Sequence, residues 1–244
     1  MNFTDFSHYL FVFAHPDDEV YTCAFVEQLT RAGKCVDVLY ITSGDYQGLE
    51  LGPVREKEVL ASMRLLGVPA TSVHFLRIPE RQLMLRVGDA KAGVAALAQT
   101  LAVDCIVGHD YEGGHNGHDA VSFCTSHAAT ILHATLYVFP AYHGWPENRV
   151  WNAFAGEQKA TETLSLTFTQ QELQEKVIAL HESQASFFDL LKRSADFESF
   201  SHREILRRIE HPIDYTQPPT TPIGYEFPGS KIRFEDFKEA VQQA

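Results

Sequence analysis

Apolar and polar positions alternate in blocks along the first two thirds of the chain. Tyr9-Leu10-Phe11-Val12-Phe13 is a continuous apolar run, the pattern of a strand buried on both faces of a parallel sheet. Phe25, Val26 and Leu29 follow at the spacing of one helix face. Residues 35–41 predict a second strand, and the polar, glycine-bearing segment 42–53 a loop. Pro53 precedes a helical pattern carried by Val54, Ala61, Leu65 and Leu66 and closed by Gly67. A short third strand is expected over 72–76, a helix over 90–101 and a fourth strand over 105–108. A polar loop over 109–117, a helix over 118–132 and a fifth strand over 135–139 complete the series. Repeated strand–helix units predict an α/β fold, a Rossmann-like, mostly parallel sheet with helices on both faces.

The last third changes character. Leu164, Leu166 and Phe168 fall on one face of a strand expected over 162–168. Residues 170–191 predict one long amphipathic helix, and Pro218, Pro219 and Pro222 interrupt the polar tail. This stretch, about residues 150–244, is expected to be a C-terminal cap region packed on the same sheet, so residues 1–244 are read as one domain.

A hydrophobic content of 45% supports a sizeable core, and the net charge of −12 argues against nucleic acid or an anionic membrane as partner. A neutral or cationic small molecule fits that charge. Cys23, Cys35, Cys105 and Cys124 show no CxxC spacing and suit a reducing compartment. The N-terminal apolar run is too short to span a membrane and has no basic flank. A soluble, cytoplasmic protein is expected, and assembly into a homo-oligomer is compatible with this reading.

Two polar clusters carry the chemistry. His15-Pro16-Asp17-Asp18-Glu19 stands where the first strand ends and a helix begins, the place where open α/β sheets bind ligands. A helix cap needs one carboxylate, not a histidine and three acids. A divalent metal accounts for the surplus: His15 and Asp18 can ligate while Asp17 handles a proton. The second cluster, residues 109–119, holds three histidines and three acids just after the fourth strand. Neither loop contains a thiolate. That inventory suits a catalytic site with three protein ligands and an open position: His15, Asp18 and one histidine of the second loop. His74, His127 and His133 stand alone and are read as packed or surface residues. Asp45, Tyr46, Glu80, Tyr142, His143 and Trp145 fall in loops after strands, where a pocket wall is expected. No Gly-x-Gly-x-x-Gly follows the first strand, which argues against a dinucleotide cofactor.

With its strand-terminal His-Pro-Asp-Asp-Glu and its distal Gly-Gly-His-x-x-His, the chain resembles the LmbE-like, or PIG-L, zinc-dependent N-deacetylases. Thr42-Ser43-Gly44-Asp45, Arg55-x-x-Glu58 with Leu66-Gly67-Val68, and Lys176 with His181-Glu182-Ser183-Gln184 are weaker matches, so the likeness runs from about Tyr9 to Gln184. It implies one Zn2+ per chain held by His15, Asp18 and His118. Asp17 would be the general base, His115 an electrophilic helper and Arg55 a substrate contact, with Glu56 or Glu58 as alternative partners for Arg55. Asp45 and Tyr142 join the substrate-binding candidates. The implied reaction removes an N-acetyl group from an N-acetylglucosamine-type sugar or conjugate. The alternatives are hydrolysis of another N-acyl or ester substrate, or metal binding without catalysis. One departure stands out. The family often reads His-Pro-Asp-His where this chain has His115-Asn116-Gly117-His118. Asp110 and Asp119 are the acids nearby in sequence to replace the one absent at Gly117.

Overall fold

The computed structural model describes residues 2–156, 158–220 and 222–244. Five strands pair in parallel at its centre: β1 (His8–Phe13), β2 (Cys35–Thr42), β3 (Val73–Ile78), β4 (Cys105–His109) and β5 (Thr135–Phe139). Each had a counterpart in the apolar pattern. A small hairpin follows, β6 (Tyr142–His143) with β7 (Val150–Trp151). Two later strands, β8 (Glu162–Ser165) and β9 (Arg203–Arg208), then extend the sheet antiparallel. The order across the seven strands is β3-β2-β1-β4-β5-β9-β8. Chain progression therefore runs outward in one direction from β1 and in the other from β4. The crevice between their carboxyl ends is the topological switch point, and both polar clusters open onto it.

Both faces of the sheet are buried, which is why the strands read as unbroken apolar runs. Phe11, Phe13, Tyr40 and Phe139 face one core. It is covered by α1 (Cys23–Arg31), α2 (Leu51–Leu65) and α5 (Phe168–Leu180). Leu10, Val12, Leu39 and Val138 face the other. That side is covered by α3 (Val87–Leu101), α4 (Asn116–Leu132) and α8 (Phe234–Gln243). Among the described residues no helix is long and apolar enough to cross a membrane.

The last third differs from expectation in three places. The strand expected over 162–168 stops at Ser165, and Phe168 opens α5 with its side chain 74% exposed. Thr167 and Gln170 form a reciprocal capping box there, so local capping outweighs the alternation. The single helix expected over 170–191 is two helices, α5 and α6 (Ala185–Lys192), parted by a short 3-10 turn over Glu182–Gln184. The break coincides with two tertiary ties. His181 Nε2 lies 2.7 Å from the buried Glu19 carboxylate, and Ser183 donates from N and Oγ to Glu58 at 2.9 and 2.6 Å. Finally, the tail contains β9 and α8 as well as α7 (Phe197–His202). β9 also reaches back to the start of the chain. The buried Glu204 accepts Ala24 N at 2.7 Å and Phe25 N at 2.8 Å, capping α1, whose own N-cap Thr22 makes no side-chain cap.

Candidate metal centre

The loop after β1 is wound tightly enough to aim several side chains at one point. Asp17 N and Asp18 N both donate to His15 O, and Asp18 Oδ2 folds back to accept His15 N at 2.7 Å. Asp18 is thereby fixed between three imidazoles. His15 Nδ1 is 3.4 Å from its Oδ2, His109 Nε2 is 3.1 Å from the same oxygen, and His118 Nε2 is 3.5 Å from Oδ1. All four side chains are buried. His118 sits in the first turn of α4, and its ring stacks on that of His109 at 4.0 Å.

Ligand-capable atoms form two overlapping triplets, His15/His115/His118 and Asp18/His109/His118, each with its atoms within 4.8 Å of one another. The trio implied by the sequence, His15, Asp18 and His118, spans both and is joined pairwise through the two oxygens of Asp18. These residues fit a divalent cation. The donors are imidazole and carboxylate, and 3.4–3.5 Å is long for a hydrogen bond. It is close to the roughly 3.4 Å between neighbouring donors of a tetrahedral zinc site with bonds of about 2.05 Å. His15 Nε2, His109 Nδ1 and His118 Nδ1 are buried without a hydrogen-bond partner. Burial disfavours a charged His15, yet Glu80, Asp18 and Asp17 outweigh it and push the group up to about 9. The surroundings thus favour positive charge at this spot.

Asp17 makes no hydrogen bond or ion pair with His15, His109 or His118. Its Oδ1 accepts Arg55 Nη2 at 2.7 Å. Burial raises Asp17 to about 6, with the Arg55 charge opposing the shift. Arg55 itself is buried and donates to Pro16 O from Nε and Nη2 and to Gly44 O from Nη1. It pairs with neither Glu56, which holds Arg77, nor Glu58, which holds Ser183. The guanidinium expected to grip substrate is engaged instead in holding Asp17 and the loop.

His115 caps α4, and its Nδ1 accepts Gly117 N at 3.0 Å. In a neutral ring the proton therefore lies on Nε2. Burial, with His15 and His118 nearby, holds His115 well below its ordinary value, so the ring is neutral. Neither acid suggested by the sequence replaces the one absent at Gly117. Asp110 pairs with Arg207 at 2.6 Å, and Asp119 accepts Glu112 N and Gly113 N. The carboxylate facing the histidines comes from another loop: Glu80 Oε1 is 3.6 Å from His15 Nε2 and 4.0 Å from His115 Nε2.

The site opens into a cavity of about 310 Å³ lined by Asp17, Asp18, Arg55, His118 and Tyr142 among others. A larger cleft of about 680 Å³ shares His15, Glu80 and His115 with it and runs toward α8. Tyr142 presents its ring edge to His118, with centroids 5.1 Å apart, and Arg149 lies over its face. Asp45 does not line the cavity beside the histidines; its Oδ1 accepts Glu80 N at 2.8 Å and anchors that residue. Glu80, expected only in the pocket wall, lies between two imidazoles, and two participants had no individual role from sequence: His109 beside Asp18, and Glu112, whose Oε1 is 3.5 Å from His118 Nδ1. The only signal for them was the density of polar residues in their loops.

Residues 10–129 match the family model described as "PIG-L: GlcNAc-PI de-N-acetylase". A probable N-acetylglucosaminyl-phosphatidylinositol de-N-acetylase of Schizosaccharomyces pombe is 30% identical over 137 residues, 53% of each chain. The match thus spans about half the length of that relative. Among solved structures, N,N'-diacetylchitobiose deacetylase from Pyrococcus horikoshii superposes with a TM-score of 0.65 at 18% identity, covering 85% of each chain. The zinc-inhibited form of teicoplanin deacetylase Orf2 gives 0.64 at 13% identity, covering 84% of this chain and all of the other. These likenesses show a shared fold, and over residues 10–129, from β1 to α4, the chain belongs to the PIG-L, or LmbE-like, family.

Proposed function

We propose that this chain is a metal-dependent N-deacetylase acting on an N-acetylglucosamine unit of a sugar or sugar conjugate. His15, Asp18 and His118 would hold one divalent ion, zinc by donor type. An ion held there would supply Lewis-acid polarisation of water and of the amide carbonyl. The reading is carried by one observation: Asp17, a buried carboxylate with one oxygen held by Arg55, sits beside Asp18 without pairing with His15, His109 or His118. Its position near 6 suits a base that accepts the proton of the attacking water at neutral pH. His115 Nε2–H is the donor for the carbonyl oxygen as negative charge develops. The fixed tautomer lets a neutral ring do this without an acid at 117. Asp17 then returns its proton to the leaving amine. The match to the de-N-acetylase model and the S. pombe relative supports acetylglucosamine as the sugar. The 680 Å³ cleft leaves room for a conjugated group beyond the ring.

Metal analysis combined with acetate release from N-acetylglucosamine, its disaccharide and its phospholipid conjugate tests the proposal. About one equivalent of metal and acetate release that stops on chelation are expected. A metal-replete protein that releases no acetate from any of the three would overturn it.

A further inference from the structure

Glu112 is fully enclosed beside the site, with no exposed surface. Burying such a group is costly unless its charge is met. No lysine or arginine reaches it among the described residues. Its Oε1 accepts Ala141 N at 3.2 Å and Tyr142 N at 3.1 Å, and Oε2 accepts Ala141 N at 3.1 Å. The one side chain it faces is His118, at 3.5 Å from Nδ1. The opposite nitrogen, Nε2, faces Asp18. One imidazole is thus clamped between two carboxylates, one on the ligand side and one behind.

We infer that Glu112 is a positioning residue for His118: it stands ready to take the Nδ1–H, which has no other partner, when a metal is bound, so directing the Nε2 lone pair into the metal centre and strengthening it as a ligand. This inference rests on the proposed ligand role of His118. A carboxylate behind a ligating histidine fixes its tautomer and ring angle and raises its basicity. The positive charge missing around Glu112 is then the metal–imidazole unit itself. The same carboxylate holds the backbone of Tyr142, whose ring packs on His118. Metal ligand and cavity wall are therefore set by one group. No local pattern singles out this residue, because Asp110, Glu112 and Asp119 look alike within the loop.

The test is Glu112→Gln, with Glu112→Asp as the conservative variant. Zinc affinity is read by competition with a chromophoric chelator, and melting temperature is measured with and without zinc. Glu112→Gln keeps the acceptor for the 141–142 turn but loses the charge. Its zinc affinity should fall about 10–100-fold, while the metal-free protein melts at or above the parental temperature. Glu112→Asp should recover part of the affinity. If Glu112 only braces the turn, the metal-free variant melts lower and zinc affinity stays within twofold of the parent. That result overturns the inference and leaves the proposed function standing. A parent that binds no zinc removes both. Parental zinc binding without acetate release removes only the deacetylase reading.

Discussion

Arg55 Nη2 lies 2.7 Å from Asp17 Oδ1, and both side chains are buried. The remaining donors of Arg55 close on Pro16 O and Gly44 O. The pair is a brace between α2 and the loop that carries the candidate ligands. Removing the arginine leaves a buried carboxylate and two carbonyls unmet.

Arg55→Ala should therefore cost about 3–5 kcal/mol of stability, the range for breaking a buried ion pair. Arg55→Lys keeps the charge without the fork and should fall between. In a variant that still folds, kcat should drop more than KM rises, because the base is displaced while the cavity is not. Denaturant melts with steady-state kinetics check this. A pure rise in KM at parental stability would restore the substrate contact expected from the sequence.

Asp17→Asn tests the base directly. The amide preserves shape but accepts no proton, so kcat should fall about 10²–10⁴-fold. Metal content, by elemental analysis, should stay near the parental value because Asp17 pairs with none of the imidazoles His15, His109 and His118. Parental turnover in this variant would end the mechanism proposed above.

Putting an acid back at 117 should harm rather than help. A Cβ on Gly117 would come within 2.9 Å of His115 Nδ1 and 3.2 Å of the His15 ring. Gly117→Asp should displace one of the two rings, at the roughly 1–3 kcal/mol typical of overpacking. Activity should fall about tenfold or more. A gain in kcat would mean that His115 is under-supported in the parent.

Glu204 gives stability a pH dependence far from the metal centre. Burial raises its carboxyl from 4.5 to about 8, against the pull of Ala24 N and Phe25 N. The folded state then binds more protons than the unfolded state between those values. Its contribution to stability must therefore fall as pH rises from about 4.5 to 8. Glu204→Gln should flatten that decline. Melting temperatures of both proteins at half-unit pH steps decide it, and parallel curves would refute the assignment.

The central sheet was legible because its strands are buried on both faces. Nothing polar interrupts Tyr9–Phe13 or Thr135–Phe139. The meeting of His15, Asp18 and His118 was legible in outline because they belong to the two switch-point loops. The rest depended on contacts between distant segments. β9 reads Arg-Glu-Ile-Leu-Arg-Arg, too charged to resemble a strand. Its Glu204 is buried only because the start of α1 needs a cap. The helical pattern over 170–191 hid a break at His181, whose partner Glu19 lies 162 residues away. Arg55 was expected to touch substrate, and its bond to Asp17 was not legible because it crosses 38 residues.

The cap that Glu204 supplies to α1 has a bearing on how the chain is made. The tie spans 180 residues. At about 5–20 residues per second of synthesis, the start of α1 lacks its partner for on the order of ten seconds or more after emerging. The ligand loop just before that helix is by then braced by Arg55, but the helix start it leads into has no cap of its own. Long-range closure of this kind slows folding. The start of α1 should therefore become protected from proteolysis late, and a ribosome-stalled chain ending before β9 should expose it.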